Sequence, residues 1–222
     1  MNEAARPVAR SFKPRRRGLS DVRALAYAAA FARFGLAAAG PTLSLPEAFG
    51  RSGPFVLDIG FGAGEGLLLM AAARPEECIV GVEVHTTGLA AVLERVVADG
   101  MNNVRAVDGD AIELLDRLAP ASLDEVRIWF PDPWPKQRQR HRRLVRRDVV
   151  GELVRRLRVG GRLHLATDVV DYSLQMQQVC GDEPRLAGGP VERPVWRPTT
   201  RFEARGAAAG RHAIDLVYTR VA

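Results

Sequence analysis

Val56-Leu57-Asp58-Ile59-Gly60-Phe61-Gly62-Ala63-Gly64-Glu65-Gly66 is an apolar strand, a glycine turn and the start of a helix, in that order. Glycine allows the tight turn and lets a ligand come close to the backbone, so the stretch opens a βαβ unit. The same rhythm continues on its C-terminal side. Strands are expected at Phe55–Ile59, Cys78–Glu83, Asn103–Val107, Leu123–Phe130 and Arg162–Ala166. Helices are expected over 65–74, 86–99, 111–118, 141–157 and 169–179. Strands alternating with helices at this spacing give βαβ units and a parallel sheet, hence an α/β fold. Upstream, Ser20 or Asp21 caps an Ala-rich helix running to about Gly35, and 40–53 reads as a Pro/Gly loop. Downstream, 181–194 is turn-rich and Ala213–Tyr218 reads as a last strand.

The glycine spacing narrows the ligand. A dinucleotide loop reads GxGxxG, whereas Gly60, Gly62 and Gly64 read GxGxG and Glu65 stands where the third glycine belongs. Glu65 at a helix N-terminus opposes a pyrophosphate, and Asp58 suits an amine. The loop therefore predicts a ligand with a cationic end and no pyrophosphate. S-adenosylmethionine fits, with its ammonium, sulfonium and ribose. Glu83 ends the next strand, 25 residues after Asp58, where a carboxylate accepts from ribose hydroxyls. Asp110 is placed to accept from an adenine amino group and the Ala111 N–H to donate to the ring; Asp110 also suits a helix N-cap.

A second stretch, Phe130-Pro131-Asp132-Pro133-Trp134-Pro135-Lys136, stops a strand abruptly. Proline donates no ladder hydrogen bond and keeps its predecessor extended, so Asp132 and Trp134 sit on a stiff loop past a strand end. Ligands of parallel α/β sheets lie at that edge. An acceptor and an indole there offer an edge and a face to a flat base.

The chain has 222 residues and a net charge of +6. Residues 1–20 carry +5 and residues 136–147 carry +7, which leaves −6 on the rest. Two basic patches on a mildly acidic body favour a localised polyanion contact. The first, residues 1–20, reads as a flexible arm preceding a single domain over 21–222. In the second, Arg138, Arg140, Arg142 and Arg143 are candidate phosphate contacts. Only Lys13 and Lys136 are lysines, so the arginine excess itself carries no weight. No apolar run reaches the roughly 20 residues of a membrane span. No signal-peptide core follows the N-terminal charges. Cys78 and Cys180 match no metal or redox spacing and read as buried thiols of a reducing cytoplasm. The four histidines form no metal-ligand cluster.

Taken in order, LDIGFGAGEG, GVEVH, GDA, FPDPWPK, ATD and TRFE resemble the tRNA (guanine-N7)-methyltransferases, from about Phe55 to Tyr218. The resemblance implies the Rossmann-like class I methyltransferase fold, a mostly parallel seven-stranded sheet with helices on both faces and one antiparallel strand supplied by 213–218. It implies S-adenosylmethionine as methyl donor, tRNA as substrate and position 46 of the variable loop as target. Cofactor contacts are implied at Asp58, Glu83, Asp110 and Asp132, beside Gly60, Gly62, Gly64 and Ala111. Substrate contacts are implied at Lys136, Asp168, Thr200, Arg201, Phe202 and Glu203. Gln139 stands where the family has His, and His141 where it has Lys.

The chemistry asks little of the protein. Guanine N7 has a free lone pair, so no triad or metal is needed. Asp132 is the candidate catalytic residue, holding the guanine edge and offsetting the positive charge that methylation puts on the ring. The competing readings are methylation of an exocyclic amine in RNA or DNA, and a non-catalytic RNA-binding module on the same fold.

Overall fold

The computed structural model describes residues 18–222, so the basic arm expected over 1–20 lies almost wholly outside the described residues. The chain runs α1 (Asp21–Phe34), β1 (Gly35–Leu36), α2 (Leu45–Phe49), β2 (Phe55–Ile59), α3 (Glu65–Ala73), β3 (Cys78–Glu83), α4 (Thr86–Ala98), β4 (Val104–Asp108), α5 (Ala111–Arg117) and β5 (Leu123–Trp129). A 3₁₀ turn at Gln137–Arg142 then leads into α6 (Arg147–Arg156) and β6 (Leu157–Thr167). The chain closes with α7 (Val170–Gly181), β7 (Leu186–Val191), α8 (Arg201–Ala208) and β8 (Ile214–Arg220).

The strands form one eight-stranded sheet in the order β1-β4-β3-β2-β5-β6-β8-β7. β8 is antiparallel to both its neighbours, and β1 to β6 pair in parallel. The two-residue β1 is the strand beyond the seven expected. Chain order climbs outward from β2 to β4, then returns to β5 on the other side. The switch between β2 and β5 opens a crevice at their carboxyl ends.

Period-2 alternation splits the core. Val56, Ile79 and Ala106 face α1, α3 and α4, packing on Phe34, Leu67 and Leu89. Leu57, Val80 and Val107 face the other way, onto Leu114, Leu153 and Met176 of α5, α6 and α7. β3 is buried along its whole length, as a strand covered on both faces must be.

Three local expectations are corrected. The helix expected over 141–157 begins only at Arg147. Leu144 and Val145 run into the core first, and Val145 N–H donates to the Tyr172 hydroxyl at 3.1 Å. The loop expected over 40–53 contains the short helix α2. The turn-rich 181–194 contains β7, an edge strand in which Pro190 needs no second partner. The stretch Thr200–Glu203, to which the sequence reading assigned no local structure, begins a helix.

Candidate active site

The glycine turn after β2 is held open from below. Gly64 lies at φ 79°, and a Cβ there would meet Val92 Cγ2 at 1.9 Å. The first turn of α4 presses equally close: a Cβ on Gly88 would lie 2.1 Å from the Gly62 carbonyl oxygen. Glu83 fastens the turn. Its carboxylate accepts from Gly62 N at 2.8 Å, Val84 N at 2.8 Å and His85 N at 3.1 Å. A carboxylate has about four acceptor positions, so little capacity is left for a ligand hydroxyl. Asp110 caps α5, accepting from Ile112 N at 3.0 Å.

Asp58 is different. It is buried at 3 % exposure, and no hydrogen bond to its carboxylate is formed among the described residues. Its carboxyl is pushed up to about 7. Burial is the largest cause, Arg127 pulls back, and Glu125 and Glu83 push further up. Arg127 is fully buried and already donates to Glu125 and Glu77, each at 2.8 Å. A buried acid at the floor of a cavity with no donor of its own fits a cationic ligand group.

Two cavities lie along the carboxyl edge. One, of about 370 Å³, is lined by Gly60, Gly62, Glu83, Asp110, Ala111 and Asp132, among others. The other, of about 780 Å³, has Asp58, Glu65 and Trp129 in its wall, and Thr200, Arg201 and Phe202 from the start of α8. Gly60, Gly62, Phe130 and Phe202 belong to both. The Phe130 and Phe202 rings meet at 5.2 Å and stand between them.

Asp132 is exposed on a strained loop. Phe130 and Trp134, two bulky residues, have φ of 55° and 39°, in a region such side chains rarely occupy. The loop is tied down on both sides of Asp132: Phe130 N–H donates to Ala166 O at 2.7 Å, and Arg143 Nε to Pro133 O at 2.8 Å.

Trp134 does not serve as a platform for a base. It is 3 % exposed, with the Arg142 guanidinium 5.0 Å from its ring, and it anchors the loop from inside. Phe130 and Phe202 present rings to both cavities, and Phe61 and Trp129 line the larger one. Arg143 is likewise corrected as a phosphate contact. It is 1 % exposed and donates to Pro133 O, Gln175 Oε1 and Asp171 Oδ2, fixing the loop to α7. Lys136, Arg138 and Arg140 remain exposed, the last 3.0 Å from Asp171.

The remaining expected contacts are placed as follows. Thr200 caps α8, its hydroxyl accepting from Glu203 N at 3.3 Å. Thr-x-x-Glu is a helix-start signal that the sequence did carry. Arg201 N–H donates to Glu65 Oε2 at 2.7 Å, joining α8 to the glycine turn. Asp168 accepts from Arg211 at 2.8 Å. The Glu203 carboxylate takes two hydrogen bonds from Arg197, at 2.8 and 2.7 Å. Lys136, Asp168 and Glu203 line neither cavity. Trp129, Phe130 and Arg197 were missed; a buried Arg197 leaves no trace in the linear pattern.

Residues 52–216 match the protein family described as Putative methyltransferase. Along 98 % of its length the chain is 43 % identical to 89 % of the tRNA (guanine-N(7)-)-methyltransferase of Xanthomonas oryzae pv. oryzae strain MAFF 311018. Over 80 % of its length it is 45 % identical to 72 % of the enzyme of that name from Bordetella pertussis. Among solved structures, the 16S rRNA methyltransferase KamB superposes with a TM-score of 0.58 at 14 % identity, over 79 % of this chain and 92 % of that one. An rRNA methylase from Streptococcus thermophilus gives 0.53 at 14 % identity, over 77 % and 88 %. These two share the fold, whereas the Xanthomonas and Bordetella relatives share the sequence: the chain belongs to the tRNA (guanine-N(7)-)-methyltransferase family.

Proposed function

We propose that residues 21–222 form one domain that transfers a methyl group from S-adenosylmethionine to N7 of a guanine in tRNA, at position 46 of the variable loop by family resemblance. One observation carries the reading. Asp58, a buried acid without a hydrogen-bond donor among the described residues, and Asp132, an exposed acid on a strained loop, lie on neighbouring cavities that share the glycine turn.

S-adenosylmethionine, when bound, supplies an electrophilic methyl group on its sulfonium. Asp58 suits its ammonium, and the remaining acceptor capacity of Glu83 suits the ribose. Asp110 and the Ala111 N–H suit the adenine edge. Asp132 takes the N1–H and N2–H₂ edge of the guanine and offsets the charge its ring acquires. N7 needs no base, so catalysis is positioning of N7 against the methyl group. Lys136, Arg138 and Arg140 meet phosphates beside the loop. Loop-lying bases in folded RNA reach such a rim by swinging out.

Labelled methyl transfer into bulk tRNA, followed by nucleoside analysis, tests this. The expected product is 7-methylguanosine. Label in an exocyclic-amine product, or no transfer despite tRNA binding, overturns it.

A further inference from the structure

α8 roofs the larger cavity but has almost no apolar seat: of its eight residues only Gly206 is buried. Its outer tie, Glu65–Arg201, and the Asp168–Arg211 pair just past its end involve arginines that are half-exposed or more. Such pairs are screened and hold weakly. The buried tie is the one from Arg197 to Glu203, and Arg197 itself is fully buried.

Behind Arg197 runs a chain of hydrogen bonds that ends on the cavity floor. Trp129 lines that floor, and its Nε1–H donates to His164 Nδ1 at 3.1 Å. An accepting Nδ1 makes the ring neutral with its proton on Nε2. Nε2 then donates to Asp215 Oδ1 at 2.8 Å. Asp215 Oδ2 accepts from Arg197 Nη2 at 2.9 Å, and Arg197 Nη1 and Nη2 donate to Glu203. Arg197 Nε also lies 2.6 Å from Asp215 Oδ1, an ion-pair contact off hydrogen-bond alignment. Trp196 covers the imidazole edge-on at 5.1 Å. Each link has one polarity only. Flipping the imidazole would set a C–H against Trp129 or Asp215.

We infer that His164, Asp215 and Arg197 are positioning residues for methyl transfer, setting the cavity floor at Trp129 against its roof at α8. A buried polar chain contributes little net stability over apolar packing, so stability alone does not account for it. It does fix a unique geometry between β5, β6, β8 and α8. The inference rests on the proposed methyltransferase function, in which this cavity receives the amino-acid end of the methyl donor at Asp58.

His164→Leu removes both imidazole hydrogen bonds, and His164→Gln offers one acceptor and one donor in their place. Donor affinity is measured by calorimetry with S-adenosylmethionine, and donor KM and kcat by methyl transfer, with melting curves alongside. The expected result is a donor KM raised about tenfold in His164→Leu with kcat changed less than about threefold, and most of the loss recovered in His164→Gln. A folded His164→Leu with unchanged donor affinity, or a His164→Gln as poor as His164→Leu, overturns the inference. Should His164→Leu not fold, a cycle of Trp129→Phe and Glu203→Gln reads the same coupling from the two ends. Effects on donor affinity that depart from additivity by about fivefold or more support it, and additive effects overturn it. Wild-type protein that binds the donor yet methylates no tRNA defeats the functional reading instead.

Discussion

Asp58 and Asp132 are two carboxylates of one cleft in opposite surroundings, the first buried and the second exposed. Their consequences differ accordingly. The Asp58 carboxyl is ordinarily near 3.8 and is pushed up to about 7 by burial. Because the folded value lies above the unfolded one, ionising this acid opposes folding. The cost is absent below about pH 4, grows toward pH 7 and is complete above it. Asp58→Asn is therefore expected to melt a few degrees higher than wild type at pH 8, with the difference fading toward pH 4. It should also lose donor affinity, since the ammonium loses its counter-charge. In the wild type, donor affinity should fall about tenfold per pH unit below pH 7, as calorimetry across pH 5–8 would show. Unchanged affinity at pH 5.5 would remove Asp58 from the ammonium site. Asp132 is exposed. Asp132→Asn keeps the shape but presents a donor where the guanine edge needs an acceptor. Methyl transfer should slow by about 10²-fold or more, with melting unchanged. Single-turnover rates at saturating tRNA and donor separate this from a binding defect.

Among elements, the segment 136–147 divides into two jobs that its charge does not distinguish. Lys136, Arg138 and Arg140 are exposed, whereas Arg143 is buried beneath them with three partners. Arg143→Gln should lower stability by about 2–3 kcal/mol, through missing hydrogen bonds from a charged donor, and lower Tm by roughly 5–10 °C. The salt dependence of tRNA binding should not change in this variant, measured well below its melting point. An altered salt slope at intact stability would return Arg143 to the phosphate contacts. α8 is the other element whose role differs from its sequence. Its apolar content is too small to seat it, and side-chain ties hold it over the cavity instead.

Across the whole molecule, charge is segregated: the exposed part of the 136–147 patch flanks the PDPW loop, while the acids Asp58, Glu83 and Asp110 line the cleft beside it. Replacing Lys136, Arg138 and Arg140 together with Gln should weaken tRNA binding and flatten its log–log salt slope. The expected change is about 0.7–0.9 for each phosphate that is no longer neutralised. Donor affinity should stay the same, because none of the three lines either cavity. An unaltered slope would mean that these side chains are only solvated surface. Among the described residues no helix is long and apolar enough to cross a membrane.

The parallel core was legible because a strand buried on both faces and its glycine turn are local patterns: β2, β3 and β5 stand within a residue of where their apolar runs place them. That the acids at 58, 83, 110 and 132 line the cavities was legible for the same reason, each at the end of a strand or just past it. Burial and pairing were not. Trp134 and Arg143 look like cleft residues in the chain, and only packing against α7 and the core turns them inward. α8 carries a cap signal at Thr200, yet its place over the cavity depends on Arg197 meeting Asp215, and that ion pair exists only once β8 has inserted beside β6. Periodicity reports which face of an element is apolar. Which polar side chains lose water is set by elements distant in sequence, and tertiary structure alone decides it.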